Sequence, residues 1–164
     1  MGVGYGELAM TMTRPSMFSE RRGFTIVGGQ PSTVGPIVTR LSGSRSSFVA
    51  MRVAAGHAMT RSCGMIILDE TGDMGFPFDD DAVDERERSV AEGILANDHV
   101  SRVPIGETGL REAILRGIEA EASLLVLGPE DILELTDTPA LMTALIDAPF
   151  DVLLLASTGT DRLR

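Results

Sequence analysis

The stretch LLVLGPEDILELTD, Leu124 to Asp137, joins a short apolar run to a glycine, two acids and a helical pattern. In α/β folds such a strand–glycine–helix junction is where a phosphate sits. Glycine lets backbone N–H groups approach the anion, and the helix N-terminus adds a favourable dipole. Here the side chains oppose that chemistry. Glu130, Asp131 and Glu134 bring carboxylates towards the phosphate position, and each like-charge approach within about 4 Å costs on the order of 1–4 kcal/mol, depending on exposure. The chain has no lysine, its 14 basic residues all being arginine, so the P-loop lysine that reaches the β/γ-phosphates is missing too.

Other reactive residues assemble less. Asp79, Asp80 and Asp81 are hard oxygen ligands, but adjacent residues do not converge as the alternating ligands of a calcium loop do. They read instead as acids at a helix N-terminus, favourable to its dipole. One cysteine and two scattered histidines, His57 and His99, cannot make a tetrahedral zinc site within one chain. Cys63 and His57 stand six residues apart on or just beyond one helix and do not face each other. GGQPST, from Gly28, offers successive glycine N–H groups, but Gly35-Pro36 blocks the helix a phosphate would need behind it. The GxSxG elbow is absent. No acid, base and nucleophile come together, so the expectation is a protein that is not an enzyme and holds no metal.

Composition bounds what can position these residues. A chain of 164 residues fits one domain with a real core, and 43% hydrophobic content argues against disorder. The apolar runs LLVLG, VLLLAS and MIIL are far shorter than the roughly 20 residues that span a bilayer, so no direct membrane insertion is expected. No apolar block follows a basic N-terminal stretch, and the single cysteine suits a reducing compartment. The expected location is cytoplasmic. A net charge of −10 repels a phosphate backbone, so nucleic acid is not an expected partner.

Residues Met1 to Arg22 show neither helical nor strand period and carry four Met and three Gly. They read as an N-terminal arm, leaving residues 23–164 as the α/β domain. Phe24 to Val27 and Pro36 to Leu41 read as short strands. Phe48, Met51, Ala55 and Met59 recur at helical spacing, with Ser46 or Ser47 as cap and Gly64 just past the end. Met65 to Leu68 is a buried strand. A helix from about Ala82 to Asn97 follows, with Val83, Val90, Ala91, Ile94 and Leu95 on one face, and HVSRVPI is the next strand. Leu110, Ala113, Ile114, Gly117 and Ile118 line one face of a helix that Thr108 can cap. LLVLG lacks alternation, the mark of a strand buried on both faces. Thr138-Pro139 opens a helix as N-cap and N1, and DVLLLAS closes the pattern as a strand. Strands alternating with helices mean a parallel sheet covered on both faces, with ligands at the C-terminal strand ends.

Two segments resemble a known family. PIVTRLSGSRSSFVAMRVAAGHAM is similar to the first strand and helix of universal stress proteins, where a strand ends in Asp-Gly-Ser. EAILRGIEAEASLLVLG, followed after a helix by DAPFDVLLLAS, is similar to their C-terminal half. The resemblance runs from about Pro36 to Ser157 and implies an adenine-nucleotide α-hydrolase-like fold, a mostly parallel five-stranded sheet with helices on both faces. Phe24 to Val27 is then an extra N-terminal strand. Family members that bind ATP carry Gly-x2-Gly-x9-Gly-Ser/Thr after the fourth strand. Gly128 matches the first glycine, Asp131 replaces the second, and no glycine occurs from Pro129 through Thr158. Ser42 stands where the family has its acidic residue, while Gly43 and Ser44 match.

The resemblance therefore implies a vestigial nucleotide cleft at Ser42, Gly43, Ser44 and Gly128, without ATP as cofactor. It implies a non-catalytic domain in stress response or regulation, acting by protein contact. Because such domains occur as cytosolic tails of membrane transporters, the regulatory domain of a transporter is one expected setting. The alternative is a sensor binding AMP or ATP in that cleft. Family members commonly dimerise through their final strand, so the resemblance also implies a homodimer through Asp151 to Ser157, the other reading being that the N-terminal arm covers this edge.

Overall fold

The computed structural model describes residues 18–19, 24–27, 35–72 and 75–156. Near-continuous apolar runs with short helices between them dictate the architecture. The strands are β1 (Phe18–Ser19), β2 (Phe24–Val27), β3 (Ile37–Leu41), β4 (Met65–Asp69), β5 (Val100–Pro104), β6 (Leu124–Leu127) and β7 (Asp151–Leu155). The helices are α1 (Arg45–Arg61), α2 (Glu85–Leu95), α3 (Gly109–Glu119), α4 (Pro129–Asp137) and α5 (Pro139–Asp147). They build one sheet in the order β1-β2-β7-β6-β3-β4-β5. The five strands from β3 to β7 are parallel to one another, and β1 and β2 are antiparallel additions.

Alternate residues of the four inner parallel strands, β3, β4, β6 and β7, feed two separate cores. Ile37, Leu41, Met65, Ile67, Leu124, Val126 and Leu153 pack with Phe48, Met51 and Ala54 of α1 and Ala91 of α2. Val38, Leu68, Leu125, Leu127 and Val152 pack with Leu110 and Ile114 of α3, Leu135 of α4 and Leu145 of α5. Burial on both faces explains why these strands show no polar alternation.

Several boundaries and positions differ from the sequence reading. The α1 helix starts earlier, capped by Ser44, whose Oγ accepts the Ser47 N–H at 3.2 Å. Its buried stripe runs Phe48, Met51, Ala54, Ala58, and Met59 is 81% exposed. The stripe advances by three or four residues per turn, and Met59 lies a further 100° round from Ala58. The start of α2 falls at Glu85 because Asp84 and Glu87 form a reciprocal capping box, so Asp79, Asp80 and Asp81 lie in the turn before it. Val90 sits exposed on that helix, where the expected apolar face placed it inside.

The last strand is not an edge. β7 lies between β6 and β2, with Phe24 opposite Leu155 and Val27 opposite Val152. The edge expected to be free for a second copy along Asp151 to Ser157 is thus filled in cis. Phe18 and Ser19, inside the expected arm, pair with β2. The rest of the arm, the GGQPST turn and Ser157 lie outside the described residues.

Candidate functional site: the junction of β3 and β6

The chain runs from β3 outward to β4 and β5, then returns to β6 beside β3 and continues to β7. The crevice between the C-terminal ends of β3 and β6 is therefore the switch point, where open α/β sheets bind ligands. The sheet register brings Ser42, Gly43 and Ser44, which follow β3, alongside Gly128, which follows β6. All four sequence-derived site residues meet here. Gly43 has φ +90°, which glycine adopts without strain. A Cβ on Gly128 would lie 3.2 Å from the Ser46 carbonyl oxygen, so the β6–α4 turn lies close against the first turn of α1.

No loop separates β6 from α4. Gly128 is the N-cap, Pro129 the first helical residue, and Glu130 and Asp131 occupy the first turn. The backbone that would wrap a phosphate is already helical. Its acids turn inward on the site. The Ser42 hydroxyl donates to Glu130 Oε2 at 2.9 Å, and Ser44 Oγ lies 3.1 Å from the same oxygen. The Gly128 N–H donates to Asp131 Oδ2 at 2.9 Å. A carboxylate thus sits on the two hydroxyls, and another takes the backbone donor that an anionic ligand would seek. The Glu130 seat is solvent-exposed.

Behind it lies a buried charge cluster. Arg40, near the end of β3, donates through Nε to Glu70 at 2.8 Å, contacts Asp131 through Nη1 and lies 3.6 Å from Glu134. One guanidinium serves three carboxylates, so the cluster remains anionic overall when all are ionised. Burial pushes the Asp131 carboxyl up to about 6, and Glu130 and Glu70 push the same way. Arg40 and the Gly128 N–H oppose this. Burial prevails because Arg40 is shared with Glu70 and Glu134. Glu134 also accepts the Leu110 N–H at 3.1 Å, fixing the start of α3 to α4. On the next strand, Asp69 is fully buried and accepts from Arg102 Nε at 2.6 Å and from Thr71 N and Oγ1.

The sequence reading missed Arg40, Glu70, Asp69 and Arg102. For Arg40, Asp69 and Arg102 the signal was present as charges set in the apolar strands VTRL, MIILD and VSRVP, where a buried ion needs a partner, and Glu70 directly follows the second of these. The other candidates lie elsewhere. Cys63 and His99 line a cleft of about 600 Å³ between α1 and α2, at the opposite ends of the strands. His57 is half-buried on α1, and burial followed by Arg61 lowers its imidazole pKa. Among the described residues, no three His, Cys, Asp or Glu side chains are placed to hold a metal ion, and no helix is long and apolar enough to cross a membrane.

No protein-family model matches the sequence, and no curated protein is significantly similar to it. Solved structures are. A universal stress protein in complex with cAMP superposes with a TM-score of 0.53 at 21% identity, over 77% of this chain and 100% of that one. A universal stress protein from Archaeoglobus fulgidus DSM 4304 gives 0.59 at 10% identity, over 85% of this chain and 51% of that one. The fold is that of the universal stress proteins. The α/β architecture expected from the segments PIVTRLSGSRSS and EASLLVLG is thereby established. In universal-stress terms, β3 to β7 are the parallel core, and β1 and β2 extend the sheet beyond it.

Proposed function

We propose that this chain is a non-catalytic, universal-stress-type domain in stress response or regulation, acting by protein contact, with its nucleotide cleft closed by its own side chains. The observation that carries this reading is Glu130 seated on the hydroxyls of Ser42 and Ser44. An incoming phosphate would have to displace one carboxylate and then lie beside Asp131. A soluble partner, or a membrane transporter regulated by this domain in the cytoplasm, is the class of target that the family resemblance supports.

The test is calorimetric titration of ATP, AMP and cAMP, with magnesium, into the wild-type chain and Glu130→Ala. No heat up to millimolar nucleotide in the wild type supports the closed cleft. Binding by Glu130→Ala alone identifies Glu130 as what closes it.

Three observations favour a second reading, a sensor of a small nucleotide. Ser42, Gly43, Ser44 and Gly128 converge on one crevice, the Glu130 seat is solvent-exposed, and a neighbour in fold was solved in complex with cAMP. Micromolar binding of AMP or cAMP to the wild type, retained as absorbance near 260 nm after purification, would put this reading first.

A further inference from the structure

We propose that the cleft between the C-terminal halves of α1 and α2 is a binding site for a neutral, largely apolar small molecule that carries one hydrogen-bond donor. The inference is independent of what the β3–β6 crevice holds, because the two lie at opposite ends of the strands. Ala55 and Ala58 of α1 and Gly93 and Ile94 of α2 line a space of about 600 Å³, within the range of about 300–1,000 Å³ typical of small-molecule sites. Met65 and Val100, paired as the first residues of β4 and β5, line it from the sheet.

Small residues normally let two helices approach closely. Here they leave a gap. A glycine within a helix lowers its stability, yet a Cβ at Gly93 would meet nothing within 4 Å, so the missing side chain leaves space instead of making a contact. Met59 and Val90 line the same cleft as exposed apolar side chains, and a thioether adapts readily to the shape of a guest.

The chemistry of the lining selects the ligand. No Asp, Glu, Lys or Arg is among the described residues that line the cleft, although such residues make up 23% of the chain. An ionised guest would lose water without gaining a counter-charge. The net charge of −10 and the negative dipole ends of two helices act further against an anion and favour a donor. Backbone hydrogen bonds fix the turns at that end. Asn97 Oδ1 accepts the His99 N–H at 2.7 Å, and the His99 carbonyl accepts the Met65 N–H at 3.0 Å. After α1, the Cys63 N–H donates to the Ala58 carbonyl at 3.0 Å. The site is thus formed before a ligand arrives.

The test uses the full chain and an uncharged fluorescent probe, N-phenyl-1-naphthylamine, whose one N–H is the donor. The chain has no tryptophan to interfere. Saturable one-to-one binding at micromolar concentration is expected, with 8-anilinonaphthalene-1-sulfonate, the same skeleton bearing an anion, at least tenfold weaker. Gly93→Leu, which fills the gap, and Met59→Glu, which adds a carboxylate at an exposed position, should each weaken the probe at least tenfold with unchanged far-ultraviolet dichroism. Saturating probe should slow alkylation of Cys63, the single thiol, by iodoacetamide at least fivefold. Absence of saturable binding overturns the site, and equal affinity for the sulfonate overturns its selection of neutral guests. Undiminished affinity in Met59→Glu, or a Cys63 that the probe leaves unprotected, overturns the proposal even where Gly93→Leu fails to fold.

Discussion

At the residue scale, the decisive feature is one arginine shared by three carboxylates. Asp131 has a folded pKa near 6 against about 3.9 in an unfolded chain. Between those values the folded state binds more protons than the unfolded one. Its contribution is therefore fully present below about pH 4 and is lost as pH rises through 6, amounting to on the order of 2–3 kcal/mol. Asp131→Asn should remove this falling limb, which denaturant unfolding of both proteins from pH 4 to 8 would show as a converging difference. Arg40→Met should destabilise by about 3–5 kcal/mol, because it strands Glu70, Asp131 and Glu134 without their cation. That loss should be larger at pH 8 than at pH 5, where Asp131 can take a proton. The same denaturation series reads it. Much of the site was legible: the positions of Ser42, Gly43, Ser44 and Gly128 followed from the resemblance. The Arg40 cluster was not, because its partners stand 30 and 91 residues away and no local pattern joins them.

At the element scale, two glycines within helices should answer oppositely to alanine. Alanine gains about 0.8–1 kcal/mol of helix propensity at either position. On α2, a Cβ at Gly93 meets nothing within 4 Å, so Gly93→Ala should raise stability by nearly the full amount. On α3, a Cβ at Gly117 would stand 3.0 Å from two carbons of the Phe150 ring, which is fully buried. Overpacking there costs about 1–3 kcal/mol, so Gly117→Ala should be neutral to destabilising. Thermal unfolding of the two variants checks the contrast. Strand spans such as Phe24 to Val27 and the opening of α5 at Thr138-Pro139 were readable because β runs and a Pro at N1 are local signals. The start of α1 was not, since Ser42, Ser44, Ser46 and Ser47 are all chemically able to cap it. Tertiary packing, with Ser44 beside Glu130, accompanies the one that does.

At the scale of the whole molecule, the net charge of −10 makes self-repulsion a general term, screened over about 10 Å at 0.1 M salt. Raising sodium chloride from 20 mM to 0.5 M should raise Tm by about 2–4 °C for each kcal/mol of repulsion relieved. A falling Tm in calorimetry would mean that the Arg40 and Arg102 ion clusters outweigh the surface. Fold class was readable because alternating strands and helices allow few architectures. Strand order was not, since apolar runs carry no record of their neighbours, and β7 proved interior. That placement has a consequence for synthesis on the ribosome. β2 emerges before every parallel strand, yet its partner β7 is the last of them in the chain. At roughly 5–20 residues per second, β2 waits on the order of ten seconds for the strand it pairs with. The outer sheet can be completed only at the end of translation of this domain, whatever the inner strands have already built.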